Sequence, residues 1–199
     1  MTGKRLLIWL PLLFVLLLAA AFAIALNRPD SAPATAEPAL LDQPLPQFDT
    51  AGDEAADFLT GLAHGDITPG PSGLALVNFY ASWCAPCRIE HPYLLRLARD
   101  GQVAVYGIAY RDKVADTAGY LEEFGNPFAM TGLDPKGEAA LAFGITGVPE
   151  TFVIDADGRI RFRIQGPISA TQFDTLQEVF ERLQAAGLPD APYADCPDP

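Results

Sequence analysis

The apolar positions of this chain fall into blocks whose spacing changes from one block to the next. Residues 6–26 carry no charge. As a helix at 1.5 Å per residue they span about 31 Å, enough to cross a bilayer core. Two shorter runs, Leu74–Tyr80 and Val103–Ala109, are nearly continuous in apolar residues and predict buried strands. Between them Tyr93, Leu94, Leu97 and Ala98 share one helical face, with Arg96, Arg99 and Asp100 pointing elsewhere. Val114, Ala118, Leu121 and Phe124 predict a second helix, which Gly125-Asn126-Pro127 ends, and Ala139–Phe143 a short third one. Thr151–Ile154 and Ile160–Ile164 predict a hairpin about the turn Asp155-Ala156-Asp157-Gly158. The second of these strands alternates apolar residues with Arg161 and Arg163, which predicts an edge strand with one wet face. Phe173, Leu176, Val179, Phe180 and Leu183 form the apolar stripe of a final helix. The order strand–helix–strand–helix, then a hairpin and a helix, predicts an α/β layer fold with a mixed sheet.

The ends of the chain read differently. Lys4 and Arg5 precede the long apolar run and only Arg28 follows it closely, so the positive-inside rule keeps residues 1–5 cytoplasmic and exports the remainder. A cleavable signal peptide is the competing reading, but its apolar core is normally shorter, about 7–15 residues. Residues 27–39 are rich in Pro, Ala and acid without periodicity and predict a tether; 187–199 predict a disordered tail. The folded domain is therefore expected over 40–186. Beyond Arg28 lie all 25 acidic residues but only 10 of the 13 basic ones, a formal charge of −15. That excludes a nucleic-acid partner on electrostatic grounds.

The chemistry concentrates in Trp83-Cys84-Ala85-Pro86-Cys87-Arg88, where the first buried strand turns into a helix. Pro86 in the first turn loses nothing by lacking an N–H. A helix N-terminus directs N–H groups and partial positive charge at Cys84, favouring its thiolate and making it the expected exposed nucleophile, with Cys87 resolving. Zinc is the alternative, but beyond His91 the chain offers only His64 and Cys196 to complete four ligands. An inert structural disulfide is another. Haem attachment is excluded because Arg88, not His, follows Cys87. Cys196, in the tail, is expected to be a dispensable thiol.

The stretches Ala81–Pro92, Tyr106–Asp112, Gly125–Phe128 and Gly147–Asp155 carry a resemblance to the thioredoxin fold. More specifically, they resemble the membrane-anchored thiol:disulfide interchange proteins of cytochrome c maturation, the DsbE/CcmG type. The resemblance implies a thiol:disulfide oxidoreductase facing the periplasm from the bacterial inner membrane, with no cofactor beyond the redox-active disulfide Cys84–Cys87. It implies apocytochrome c or a haem-ligation protein as partner and a transmembrane electron donor. It further implies a cis Val148–Pro149 bond facing the disulfide, with Trp83, Val148 and Pro149 contacting substrate. Thioredoxin itself has a buried carboxylate at the position of Asn78; Glu90 and Glu150 are the candidates to replace it, moving the Cys87 proton and opposing a very acidic Cys84. Two rivals remain: a more general extracytoplasmic reductase of the same group, and a copper chaperone using Cys84, Cys87 and His91.

Overall fold

In a computed structural model, residues 13–18, 40–53 and 56–185 are described. The chain divides into two units, residues 1–38 and 39–199. In the first, residues 13–18 are helical and exposed. Among the described residues no helix is long and apolar enough to cross a membrane, and most of the 6–26 run lies outside them, as do the expected tether, tail and Cys196.

The second unit is built on five strands: β1 Ala75–Tyr80, β2 Ala104–Tyr110, β3 Met130–Asp134, β4 Glu150–Ile154 and β5 Ile160–Gln165. Among its described residues four α-helices accompany them: α1 Ala85–Asp100, α2 Val114–Phe124, α3 Glu138–Ala142 and α4 Ala170–Ala185. The sheet order is β3-β2-β1-β4-β5, with β1–β2 and β2–β3 parallel and β4 antiparallel to both its neighbours. Strand β1 is central and buried along its whole length, which is why its sequence shows no alternation. One face of the sheet packs Leu76, Tyr80, Val105 and Val153 against Leu94 and Leu97 of α1, Tyr120 and Leu121 of α2, and Phe173 and Leu176 of α4. The other face gathers Val77, Phe79, Ile108 and Phe152 with Phe143 after α3 and with Leu45 and Phe48 from the entering chain.

Residues 40–51 form a strap across this second face. At the β5 margin Asp42 N–H donates to the Ile160 carbonyl (2.8 Å) and Ile160 N–H donates back to Gln43 (3.0 Å). At the β3 margin Ala51 and Leu133 exchange both backbone hydrogen bonds at 2.9 Å. Gly132 is required there, because a Cβ on it would stand 1.7 Å from Thr50 Oγ1.

Strand β5 is an edge strand, as its pattern predicts, but its Arg face is not wet. Arg161, 4% exposed in its side chain, pairs with Asp42 of the strap at 2.9 Å, and Arg163 pairs with Glu150. The strap supplies the acid for Arg161, and β4 supplies the one for Arg163. Strand β3 was not predicted: Met130-Thr131-Gly132-Leu133 shows neither alternation nor a β-branched run, and it forms because β2 offers a free parallel edge.

Candidate functional site

Ala81, Ser82 and Trp83 form the turn from β1 into α1, closed by Cys84 N–H donating to the Ala81 carbonyl at 3.1 Å. Cys84 is the N-cap of α1, and its sulfur accepts the Cys87 N–H at 3.1 Å. Cys84 and Cys87 are joined as a disulfide. Both are buried, 3% and 1% exposed, so the expectation of an exposed Cys84 is corrected: in the oxidised state solvent access does not distinguish the two sulfurs. What distinguishes them is position, since Cys84 alone faces the unsatisfied N–H groups of the helix start.

The Val148–Pro149 bond is cis, and the Val148 carbonyl oxygen lies 3.6 Å from Cys84 Sγ. Trp83 is 58% exposed; its indole N–H donates to the Arg111 carbonyl at 3.3 Å and its ring sits 6.5 Å from that of Tyr110. The exposed Trp83 ring is an apolar rim next in sequence to Cys84, and Ile89 of α1 is exposed as well.

Glu90 is fully buried on the same α1 stripe as Cys87 and Leu94. Its Oε1 accepts from Asn78 Nδ2 at 2.8 Å and its Oε2 from the Ile168 N–H at 3.1 Å. Burial raises its pKa to about 7 against the downward pull of those two donors. A carboxyl one helical turn from Cys87, titrating near neutrality, is suited to taking up and giving back a proton. Asn78, in turn, donates its second amide proton to Thr151 Oγ1 at 3.0 Å.

Glu150 departs from its expected role. Along β4 the side chains alternate, and Thr151 and Val153 face α1 while Glu150 and Phe152 face the strap side. Glu150 Oε2 accepts from Arg163 Nε at 2.8 Å and Nη2 at 2.6 Å, and its Oε1 accepts from the Thr146 N–H at 3.3 Å. The residue is a partner for a mostly buried arginine, and its charge is met there rather than at the disulfide. The Glu90 carboxyl, one helical turn from Cys87, is charged only above its titration near pH 7.

His91 is 2% exposed and has both ring nitrogens engaged. Its Nε2 lies 2.9 Å from the Gly125 carbonyl, which can only accept, so Nε2 carries the proton and Nδ1 accepts from the Tyr120 hydroxyl at 3.0 Å. Burial lowers its pKa and favours this neutral form. The third ligand that zinc or copper would need beside the cysteines is thereby committed elsewhere. Tyr120 escaped the sequence reading because the buried stripe of α2 is Thr117-Tyr120-Leu121, with two polar members.

Residues 52–180 match the redoxin family model. The chain belongs to that family, among its DsbE-type thiol:disulfide interchange proteins. It is 39% identical over 166 residues to the thiol:disulfide interchange protein HelX of Rhodobacter capsulatus, covering 80% of this chain and 89% of that one. To DsbE of Escherichia coli K12 it is 36% identical over 169 residues, 83% and 88% of the two chains. Among solved structures, a DsbE-type protein from Chlorobium tepidum superposes with a TM-score of 0.58 at 21% identity, over 71% of this chain and 95% of the other. The fold is thus thioredoxin-like, and this redoxin is a thiol:disulfide oxidoreductase with Cys84–Cys87 as its CxxC disulfide.

Proposed function

We propose that the chain is a membrane-anchored reductase of the periplasmic face of a bacterial inner membrane, using residues 6–26 as its anchor. It reduces disulfides in apocytochrome c or in a partner of haem ligation, and a transmembrane dithiol donor restores it. The observation that carries the direction of attack is the sulfur of Cys84 at the N-cap, accepting the Cys87 N–H. In the reduced protein the Cys84 thiolate attacks one sulfur of the substrate disulfide. A Cys84–substrate S–S bond forms, the substrate S–S bond breaks, and the departing thiolate takes a proton. Glu90 then accepts the Cys87 proton, and the Cys87 thiolate attacks Cys84 Sγ. That closes the intramolecular disulfide, releases the second substrate thiolate, and leaves two electrons on the substrate. Trp83, Val148 and Pro149 line the approach, and no cofactor beyond the dithiol is required.

Support for the anchor comes from the uncharged 21-residue length of the run and the Lys4/Arg5 bias, and for the pathway from the resemblance in the Cys84–Pro92 and Gly147–Asp155 stretches. The test is trapping: Cys87→Ser leaves a Cys84 that forms mixed disulfides and cannot release them, whereas Cys84→Ser is inert. Cytochrome c components bound to the Cys87→Ser protein in membranes are the expected catch. A catch of unrelated exported proteins would replace this reading with that of a general reductase.

A further inference from the structure

The turn that carries Trp83 and Cys84 is held from outside by a corner at the end of β2. Arg111 there has φ +45°, a left-handed conformation uncommon for a residue with a side chain. It is kept in place by its N–H donating to the Asp134 carbonyl at 2.9 Å. This bend turns the Arg111 carbonyl toward the Trp83 indole N–H, and it brings Asp112, 6% exposed, against Ser82. The Asp112 carboxylate accepts three hydrogen bonds: Oδ2 from the Ser82 N–H at 2.6 Å, and Oδ1 from the Ser82 hydroxyl at 2.8 Å and the Lys113 N–H at 2.9 Å. From the helix side Arg88 Nη2 donates to the Ser82 carbonyl at 3.3 Å. Ser82 therefore has its backbone N–H and hydroxyl fixed by Asp112, thirty residues on, and its carbonyl by Arg88, six residues on.

A residue fixed at all three groups is unusual in a surface turn, where water normally serves. What it fixes is the next residue, a tryptophan that is more than half exposed and so contributes little to the core. A large apolar side chain held still on the surface loses no rotamer freedom when a partner covers it, and that is where preorganisation improves binding. We infer that Asp112 is a positioning residue: its carboxylate holds the Ser82–Trp83 segment so that the Trp83 indole is a preformed contact surface for a protein substrate. The contribution is to recognition of a polypeptide around its disulfide, and not to the nucleophilicity of Cys84, which rests on the helix start. The inference depends on the reductase reading given above.

The experiment compares two substrates for the reduced full-length chain in detergent. One is a small aromatic disulfide such as DTNB, which reaches Cys84 without needing the rim; the other is a peptide of about twelve residues with an internal disulfide. Asp112→Ala is expected to slow peptide reduction tenfold or more while changing the DTNB rate less than threefold, and Asp112→Asn, which keeps one acceptor oxygen, to lie between. Trp83→Ala should reproduce the peptide loss, and the double variant should lose no more than the larger single one, because both act through the same surface. Fluorescence of Trp83, measured in a Trp9→Phe background, should show a loss of anisotropy in Asp112→Ala. Should Asp112→Ala fail to fold, Asp112→Asn and Ser82→Ala, each removing part of the contact, carry the comparison. Equal losses on both substrates, or peptide rates within twofold of wild type in a folded variant, overturn the inference. A wild-type protein that reacts with DTNB and reduces no peptide overturns the reductase reading itself.

Discussion

Glu90 makes stability depend on pH in a way that a single substitution isolates. Its carboxyl is fully buried, and its pKa rises from 4.5 in the unfolded chain to about 7 in the folded one. The folded state therefore holds the Glu90 proton more tightly than the unfolded state does. Below pH 4.5 both states are protonated and the group costs nothing. Between about 4.5 and 7 the unfolded chain releases its proton and the folded one does not, so stability falls as pH rises; above about 7 the loss is complete. A shift of roughly 2.5 units corresponds to about 3 kcal/mol at 1.36 kcal/mol per unit. Glu90→Gln keeps the shape and removes the titration. Denaturant unfolding of the oxidised wild type and of Glu90→Gln at pH 4.5, 5.5, 6.5 and 8 gives a difference in which every other ionisable group cancels. The variant should gain about 3 kcal/mol relative to wild type between the lowest and highest pH, on the order of half a small domain's stability. A difference that stays flat, or one that grows as pH falls, would refute the assignment of a raised pKa to Glu90 and with it the proton-accepting role.

Three further outcomes follow from contacts on the strap side and behind α1. Glu150→Gln should cost about 3 kcal/mol in denaturant unfolding by leaving Arg163 without its carboxylate, while the thiolate absorbance titration of Cys84 moves by less than about half a pH unit. Tyr120→Phe should cost about 2 kcal/mol, because it strips a buried acceptor, His91 Nδ1, of its donor; Tyr93→Phe serves as the control with no such loss. Gly132→Ala, which drives a methyl group into Thr50, should lower stability by about 3 kcal/mol, and a loss below about 0.5 kcal/mol would mean that the strap yields freely.

The contrast between Glu90 and Glu150 shows how far periodicity reaches. Cys87, Glu90, His91, Leu94 and Leu97 follow the i, i+3, i+4, i+7 rule, so the burial of an acid and a histidine on the Cys87 face was written in the spacing of α1. The stripe chosen from sequence began at Tyr93 and passed over them because they are polar. Glu150 carried no such signal. Strand β4 is buried on both faces, so its apolar run does not say which side each residue takes, and only pairing with β1 and β5 sets the parity. The same limit hid the arginine partners: Arg161 and Arg163 read as solvated because Asp42 lies far off in sequence and the side that Glu150 takes is set only by strand pairing. The CxxC, by contrast, sits between a strand and a helix that are both continuous in sequence, and local pattern placed it correctly.

The strap also governs what the domain does in the company of its own copies. A five-stranded open sheet has two margins with backbone groups free to pair with another chain, and such margins are where proteins aggregate or add foreign strands. Here one segment of a dozen residues closes part of both: Asp42 and Gln43 occupy the start of β5, and Ala51 occupies β3. A chain trimmed to the span shared with its family, 52–180, would keep the disulfide and all five strands yet bare both margins at once. Part of the protection of both sheet margins thus lies in residues ahead of the first strand and apart from the disulfide.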